Sequence, residues 1–158
     1  MDSLMSLSSV TAFLAEKAPD LEVIVLDEST ATVAMAAAAH RVVPAQIAKT
    51  LALRVEDDVI LIVTGGEARI DNKKFKARFG TKARMLDLAD VEAETSHPVG
   101  GVCPFGLPRP ISVYCDISLR AFDIVVPAAG ATNAAVRISP ERMAVVAGAE
   151  WVDVTASA

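Results

Sequence analysis

Two runs rich in β-branched and leucine side chains, Leu51–Val55 and Val59–Val63, are separated only by Glu56, Asp57 and Asp58. No chain can bury both runs and solvate three consecutive carboxylates without reversing direction between them, so the spacing predicts a β-hairpin with a tight polar turn. Helical and extended patterns alternate around this hairpin. Leu7, Val10, Phe13 and Leu14 recur at helical spacing until Pro19. Glu22–Leu26 reads as a strand. Thr30–His40 is alanine-rich, with Thr30 or Ser29 available as N-cap, and Pro44 opens a short helix through Lys49. After the hairpin, Gly65 and Gly66 end the strand, a helix spans Asp71–Phe79 and closes at Gly80, and another covers Asp87–Glu94. Strands follow at Ile111–Cys115, Ile124–Val126 and Ala135–Ile138. Ser139-Pro140-Glu141 begins a last helix that Gly148 stops. The expected architecture is α/β in the α+β sense: one domain over residues 1–158, with a mixed sheet or partly closed barrel flanked by helices.

Composition narrows the function classes. Apolar residues make up 53% of the 158, but aromatics only 4%, so the core is expected to be built of small aliphatic side chains. The longest apolar runs, Val33–Ala39 and Val59–Val63, fall far short of the roughly 20 residues of a membrane span. Asp2 and Glu16 sit where a signal peptide would be basic then apolar, so a cytoplasmic location is expected. Cys103 and Cys115 are too few for a disulfide scaffold or a zinc site, and no cofactor is expected. A net charge of −5 argues against a non-specific nucleic-acid coat. The basic residues are unevenly placed, however: Arg69, Lys73, Lys74, Lys76, Arg78, Lys82 and Arg84 cluster with Asp71 as the only acidic residue among them. That stretch is either a solvated helix face or a local basic surface for an anionic partner.

Three places stand out as candidates for chemistry, against the plainer readings of a surface lysine and a structural turn. Lys49 lies in Gln46-Ile47-Ala48-Lys49-Thr50-Leu51. The segment His97-Pro98-Val99-Gly100-Gly101-Val102-Cys103-Pro104-Phe105-Gly106 holds too much glycine and proline for a regular element and must be a shaped loop. Closely spaced glycines bare backbone N–H groups that can hold an anion or a developing oxyanion. Gly130 to Asn133 form the third place. Neither His40 nor His97 has an evident dyad partner in the sequence, and no Gly-x-Ser-x-Gly elbow occurs.

In order along the chain, the alanine-rich helix, the string Gln-Ile-Ala-Lys-Thr-Leu, the acidic hairpin turn, the lysine-rich helix ending in glycine and the loop Gly-Gly-Val-Cys-Pro-Phe-Gly resemble the YbaK/EbsC family. That family includes the editing domain of bacterial prolyl-tRNA synthetases and its free-standing relatives, and the resemblance runs from about Val10 to Val154. It implies hydrolysis of the ester joining a wrong, small amino acid (alanine, cysteine or serine class) to the terminal adenosine of a tRNA. Mischarged tRNA and a synthetase are the implied partners. Lys49 matches the family's lysine, implying a catalytic role in holding phosphate or ribose oxygens. Gly100 and Pro104 match its Gly-x-x-x-Pro loop, which with Thr50, Gly101, Val102, Cys103 and Phe105 would form the substrate-binding wall. Gly130 and Asn133 match a third wall, and Lys73, Lys74 and Lys76 would contact tRNA.

The chain departs from the family in three ways. Ala34-Met35-Ala36-Ala37-Ala38 stands where many relatives carry glutamates, Cys103 stands where serine is common, and His97-Pro98 replaces a glycine-containing approach to the loop. Two other readings remain open at this level. One is a non-catalytic module that binds a tRNA terminus or a synthetase; the other is a hydrolase with Cys103 as nucleophile and His97 as base. Monomer and homodimer are both compatible with the composition.

Overall fold

A computed structural model describes residues 3–156, so the ends of the expected domain at 1–2 and 157–158, Asp2 among them, lie outside the described residues. Helix α1 (Ser3–Lys17) leads to strand β1 (Ile24–Val25) and helix α2 (Val33–His40). A 3-10 turn at Pro44–Gln46 then opens directly into β2 (Ile47–Val55), which pairs with β3 (Asp58–Gly65). Helices α3 (Asn72–Phe79) and α4 (Leu88–Thr95) follow, then β4 (Ser112–Asp116), a 3-10 turn, β5 (Val126–Pro127), β6 (Ala134–Ala135), α5 (Pro140–Ala147) and β7 (Glu150–Val152). The five-stranded sheet has the order β5-β2-β3-β4-β7 and is mixed: β2 and β3 are antiparallel, and the other neighbours are parallel. β1 and β6 form a separate antiparallel pair.

The predicted hairpin is present, with Glu56 at φ 55° in the turn and Asp58 already on the return strand. β3 is the spine of the sheet because both its faces are covered. Leu61 and Val63 enter a large core with Val10, Leu14, Val113 and Met143, and Ile60 and Ile62 enter a second with Leu53, Phe75 and Val154. Period-two alternation along a strand flanked on both edges requires this split. Helix α3 covers the second face through Phe75 and closes at Gly80, φ 79°, as the sequence predicts, but it begins one residue later than expected: Asp71 is its cap and accepts from the N–H groups of Lys73 and Lys74. Asp116, fully buried at the end of β4, ties the C-terminal segment down by accepting from Val154 N, Ser118 N and Thr155 Oγ1 at 2.7–2.9 Å.

Four expectations need correction. Lys49 lies inside a nine-residue strand, not at a helix end: pairing with β3 on one edge and β5 on the other outweighs the local helix propensity of Ala45 to Lys49. The N-cap of α2 is Thr32, whose Oγ1 accepts from Met35 N, while Thr30 is buried and bonded to Thr132 O. Strand pairing at Glu22–Leu26 is confined to Ile24 and Val25, and at Ala135–Ile138 it is replaced by β6 followed by single bridges. β7 carries no distinct strand signature in its three residues and was not anticipated.

Candidate functional site

A cavity of about 270 Å³ opens beside β2. Its floor is β2 itself through Ile47, Ala48, Lys49, Thr50 and Ala52. Thr30 to Val33 and Ala36 form one side, Leu86, Leu88 and Val91 another, and Val99, Gly100 and Val102 of the loop stand opposite the strand. Small residues create the space, since Ala36, Ala48, Ala52, Ala128, Ala134 and Ala135 all border it. The edge of β2 is also open here. Its ladder with β5 ends at Ala48, and the segment 84–86 joins only at Ala52 and Arg54, where Leu86 N donates to Ala52 O at 3.0 Å and Arg54 N to Arg84 O at 2.8 Å. Thr50 faces the gap.

The loop is shaped by contacts between backbones. A Cβ on Gly100 would lie 2.8 Å from Ala31 Cβ, and φ there is 88°; one on Gly101 would lie 2.9 Å from the Ala131 backbone. Gly130 N donates to Gly101 O at 3.2 Å and packs against Ser6. His97, fully buried, fastens the loop to α1: one ring nitrogen lies on Ser6 Oγ, and Nε2 lies 2.7 Å from Phe105 O. A carbonyl only accepts, so Nε2 carries the proton and Nδ1 accepts from the serine hydroxyl. Burial lowers the pKa of His97, against an opposing pull from the Phe105 carbonyl. His97, with no evident dyad partner in the sequence, thus has Ser6 and, at 3.6 Å, Cys103 as neighbours. This constellation is sealed in the core rather than open to the cavity.

Among the predicted site residues, the structure brings Lys49, Thr50, Gly100 and Val102 to one cavity. Gly101, Cys103, Pro104 and Phe105 are buried behind the wall and support it. Cys103 is fully enclosed, and burial pushes its thiol up to about 12, outweighing the backbone bonds at Phe105 and Gly130 that lower it. Enclosed behind the wall and absent from the cavity lining, Cys103 is poorly placed for the nucleophile reading. Gly130 lies behind Gly101, and Asn133 spends its amide on Leu26 O at 2.8 Å, zipping β6 to β1. Thr30, Thr32, Leu86, Leu88 and Val91 were not anticipated at the site; only the tertiary fold assembles them.

Lys49 is half-buried, and its ammonium donates to Ala68 O at 2.7 Å. Burial first, and the charge of Arg69 second, lower its pKa, and no carboxylate pairs with it among the described residues. A half-buried cation with no carboxylate partner favours an incoming anion or oxygen-rich group. No Asp, Glu, His or Cys lines the cavity. Among the described residues, no cluster of three such side chains could hold a metal ion, and no helix is long and apolar enough to cross a membrane. Of the basic stretch, Lys74 is committed to Asp153 and Thr155 O, and Arg78 to Glu150 and the faces of Phe79 and Tyr114. Lys73, Lys76, Lys82 and Arg84 are exposed and have no ion pair among the described residues.

Residues 27–145 match the model of the aminoacyl-tRNA editing domain. The chain is 43% identical over 152 residues to the uncharacterized protein YwhH of Bacillus subtilis, covering 95% of this chain and 97% of that one. It is 26% identical over 97 residues to EbsC of Enterococcus faecalis, a candidate Cys-tRNA(Pro)/Cys-tRNA(Cys) deacylase, covering 61% of this chain and 59% of EbsC. A solved structure described as a candidate trans-editing enzyme for prolyl tRNA synthetase superposes with a TM-score of 0.88 at 29% identity, over 96% of this chain and 98% of the other. The fold is thus the mixed α+β fold of the editing-domain structure on which it superposes. The chain belongs to the aminoacyl-tRNA editing domain family.

His97 generates a prediction about pH. His97 and His40 both have pKa values lowered by burial, so the unfolded chain takes up protons before the folded one does. Stability is then fully present above the ordinary imidazole value of about 6.5 and is lost as pH falls below it. Thermal unfolding between pH 7.5 and 5.5 should show Tm decreasing with acidity, and His97→Gln should flatten part of that slope. A Tm independent of pH over this range contradicts the buried neutral imidazole.

Proposed function

We propose that the chain is a trans-editing deacylase that hydrolyses the ester between a small amino acid and the 3′-terminal adenosine of a mischarged tRNA. The observation that carries this reading is the meeting of Lys49 and Thr50 with Gly100 and Val102, some 50 residues distant in sequence, around one small cavity. Its size suits a small aminoacyl group, being below the usual range for drug-sized ligands of about 300–1,000 Å³. In the proposed reaction water attacks the carbonyl carbon, the bond from that carbon to the ribose oxygen breaks, and that oxygen takes up a proton. The products are the free amino acid and a tRNA with its terminal hydroxyl restored.

The side chains around the cavity support positioning rather than acid–base chemistry. No carboxylate, imidazole or thiol lines the cavity to act as a general base, but an aminoacyl ester is already activated, and the vicinal ribose hydroxyl or the substrate's amine can assist the attacking water. The Lys49 ammonium, with hydrogens left beyond the one given to Ala68 O, would hold ribose or phosphate oxygens of the terminal nucleotide. Gly100, free of a side chain and at positive φ, would let the ester carbonyl approach backbone donors. The walls set an upper limit on the amino acid, as in the second sieve of an editing system. Exposed Lys73, Lys76 and Lys82 would receive the acceptor strand, with Lys74 occupied in holding the C-terminal segment. Such an activity belongs in the cytoplasm, where tRNA is charged, with a synthetase as a further partner.

The lack of a carboxylate, imidazole or thiol in the cavity also suits a module that captures the tRNA end without turnover, and one assay separates the two readings. Incubation with alanyl-, seryl- and cysteinyl-tRNA should release free amino acid, Lys49→Ala should slow release about 100-fold, and Cys103→Ser should retain activity. Binding with no release from any ester would establish the capture module instead. For the basic surface, Lys73→Glu with Lys76→Glu should weaken tRNA use and make the log–log salt dependence shallower by about one for each phosphate that is no longer neutralised. An unchanged rate and slope would make that face a solvated one.

A further inference from the structure

Lys49, which lines the first cavity, gives its hydrogen bond to Ala68, and Ala68 borders a second cavity of about 580 Å³. The two hollows are neighbours across the sheet as well. Ala48 on the floor of the first is the register partner of Gly65 in the wall of the second, so their Cα atoms lie about 5 Å apart. Lys74 of α3 also borders the second cavity, next to exposed Lys73. The hollow thus adjoins both Lys49 and the basic helix.

Its uncommitted polar groups restrict what can fill it. Lys74 and Asp153 are paired with each other, but Arg69 and Glu67, both exposed, have no ion pair or side-chain hydrogen bond among the described residues. Arg69 is close enough to Lys49 for its charge to lower the lysine pKa, and two cations held together without a carboxylate favour an anion shared between them. Ser118 Oγ accepts from Gly65 N at 3.0 Å, which leaves its own hydrogen for another acceptor. Ile117 and Phe122 supply apolar surface. A complementary ligand carries an anionic group, a flat body, a donor for a carboxylate and an acceptor for a hydroxyl; a nucleotide combines these. Cytosine, with an exocyclic amine that carboxylates accept from and a ring carbonyl, matches Glu67 and Ser118.

We propose that the second cavity receives the cytidine that precedes the terminal adenosine of tRNA, with the linking phosphate between Lys49 and Arg69 and the cytosine amine on Glu67. This inference deepens the proposed function and rests on the tRNA terminus as its ligand. The path of the strand follows from the placement: aminoacyl group in the first cavity, cytidine in the second, and the acceptor strand on the exposed lysines of α3.

The test compares kcat/KM on aminoacyl esters of adenosine, of the dinucleotide CA and of the dinucleotide UA, together with the Kd of the two unesterified dinucleotides. For the unmodified protein kcat/KM should rise about tenfold from the adenosine ester to the CA ester. CA should also exceed UA in both rate and affinity, because uracil turns a carbonyl toward the Glu67 carboxylate. Arg69→Ala should remove most of the gain from adenosine to CA, and Glu67→Gln, whose amide serves either base, should bring CA and UA together. Equal kcat/KM on the adenosine and CA esters, or an Arg69→Ala loss that is the same on both, would overturn the inference and leave the deacylase reading intact. A CA preference unchanged in Glu67→Gln would do the same. If no ester is hydrolysed, the deacylase reading falls and the dinucleotide affinities decide the cavity alone. Weaker binding in Arg69→Ala with a lost CA preference in Glu67→Gln would then uphold it, and identical binding by all three proteins would overturn it.

Discussion

The site depends on backbone meeting backbone. Gly101 lies against the main chain of Ala131, Gly106 against that of Ser9 and Gly130 against Ser6, each at a distance that leaves no room for a Cβ. These contacts set the depth to which the loop 97–106 enters the molecule, and so set the distance between Gly100 and the facing strand β2. His97 secures the same loop from within, linking Ser6 of α1 to the Phe105 carbonyl. Removing any of these close approaches would move the cavity wall before it altered any cavity-lining side chain, since interiors of this density pass displacement on to their neighbours.

Strand β2 then has two roles. Its pairing with β3 fixes it in the sheet, and its open edge between Ala48 and Ala52 gives the cavity a rigid polar floor. Alternation along the strand separates the two polar side chains of the floor. Thr50 shares a face with two alanines, while Lys49 emerges on the other face and turns to Ala68 O. The scarcity of aromatic residues acquires a purpose here, because alanine at so many positions around β2 leaves space that a bulkier core would fill.

Much of this was legible in the sequence where local chemistry decides. Gly80 terminates α3, Ser139, Pro140 and Gly148 delimit α5, and the acidic turn sets the hairpin. The ordered motifs marked Lys49, Thr50, Gly100 and Val102, which the fold gathers. What was not legible depends on partners far along the chain. The strand character of residues 47–49 comes from β3 and β5, the bond between His97 and Ser6 spans 91 positions, and the commitment of Lys74 to Asp153 comes from the returning C-terminal segment. Asn133 resembled a pocket residue by motif but is consumed by Leu26, a contact that no spacing rule anticipates.

The central claim is that the aminoacyl group of the substrate occupies the cavity between β2 and the Gly100 loop. A crystal structure with a non-hydrolysable, amide-linked seryl-adenosine tests it most directly. The account predicts the seryl group enclosed between Thr50 and Gly100, with the ribose reaching toward Lys49. Ligand found elsewhere on the protein with this cavity empty would contradict it.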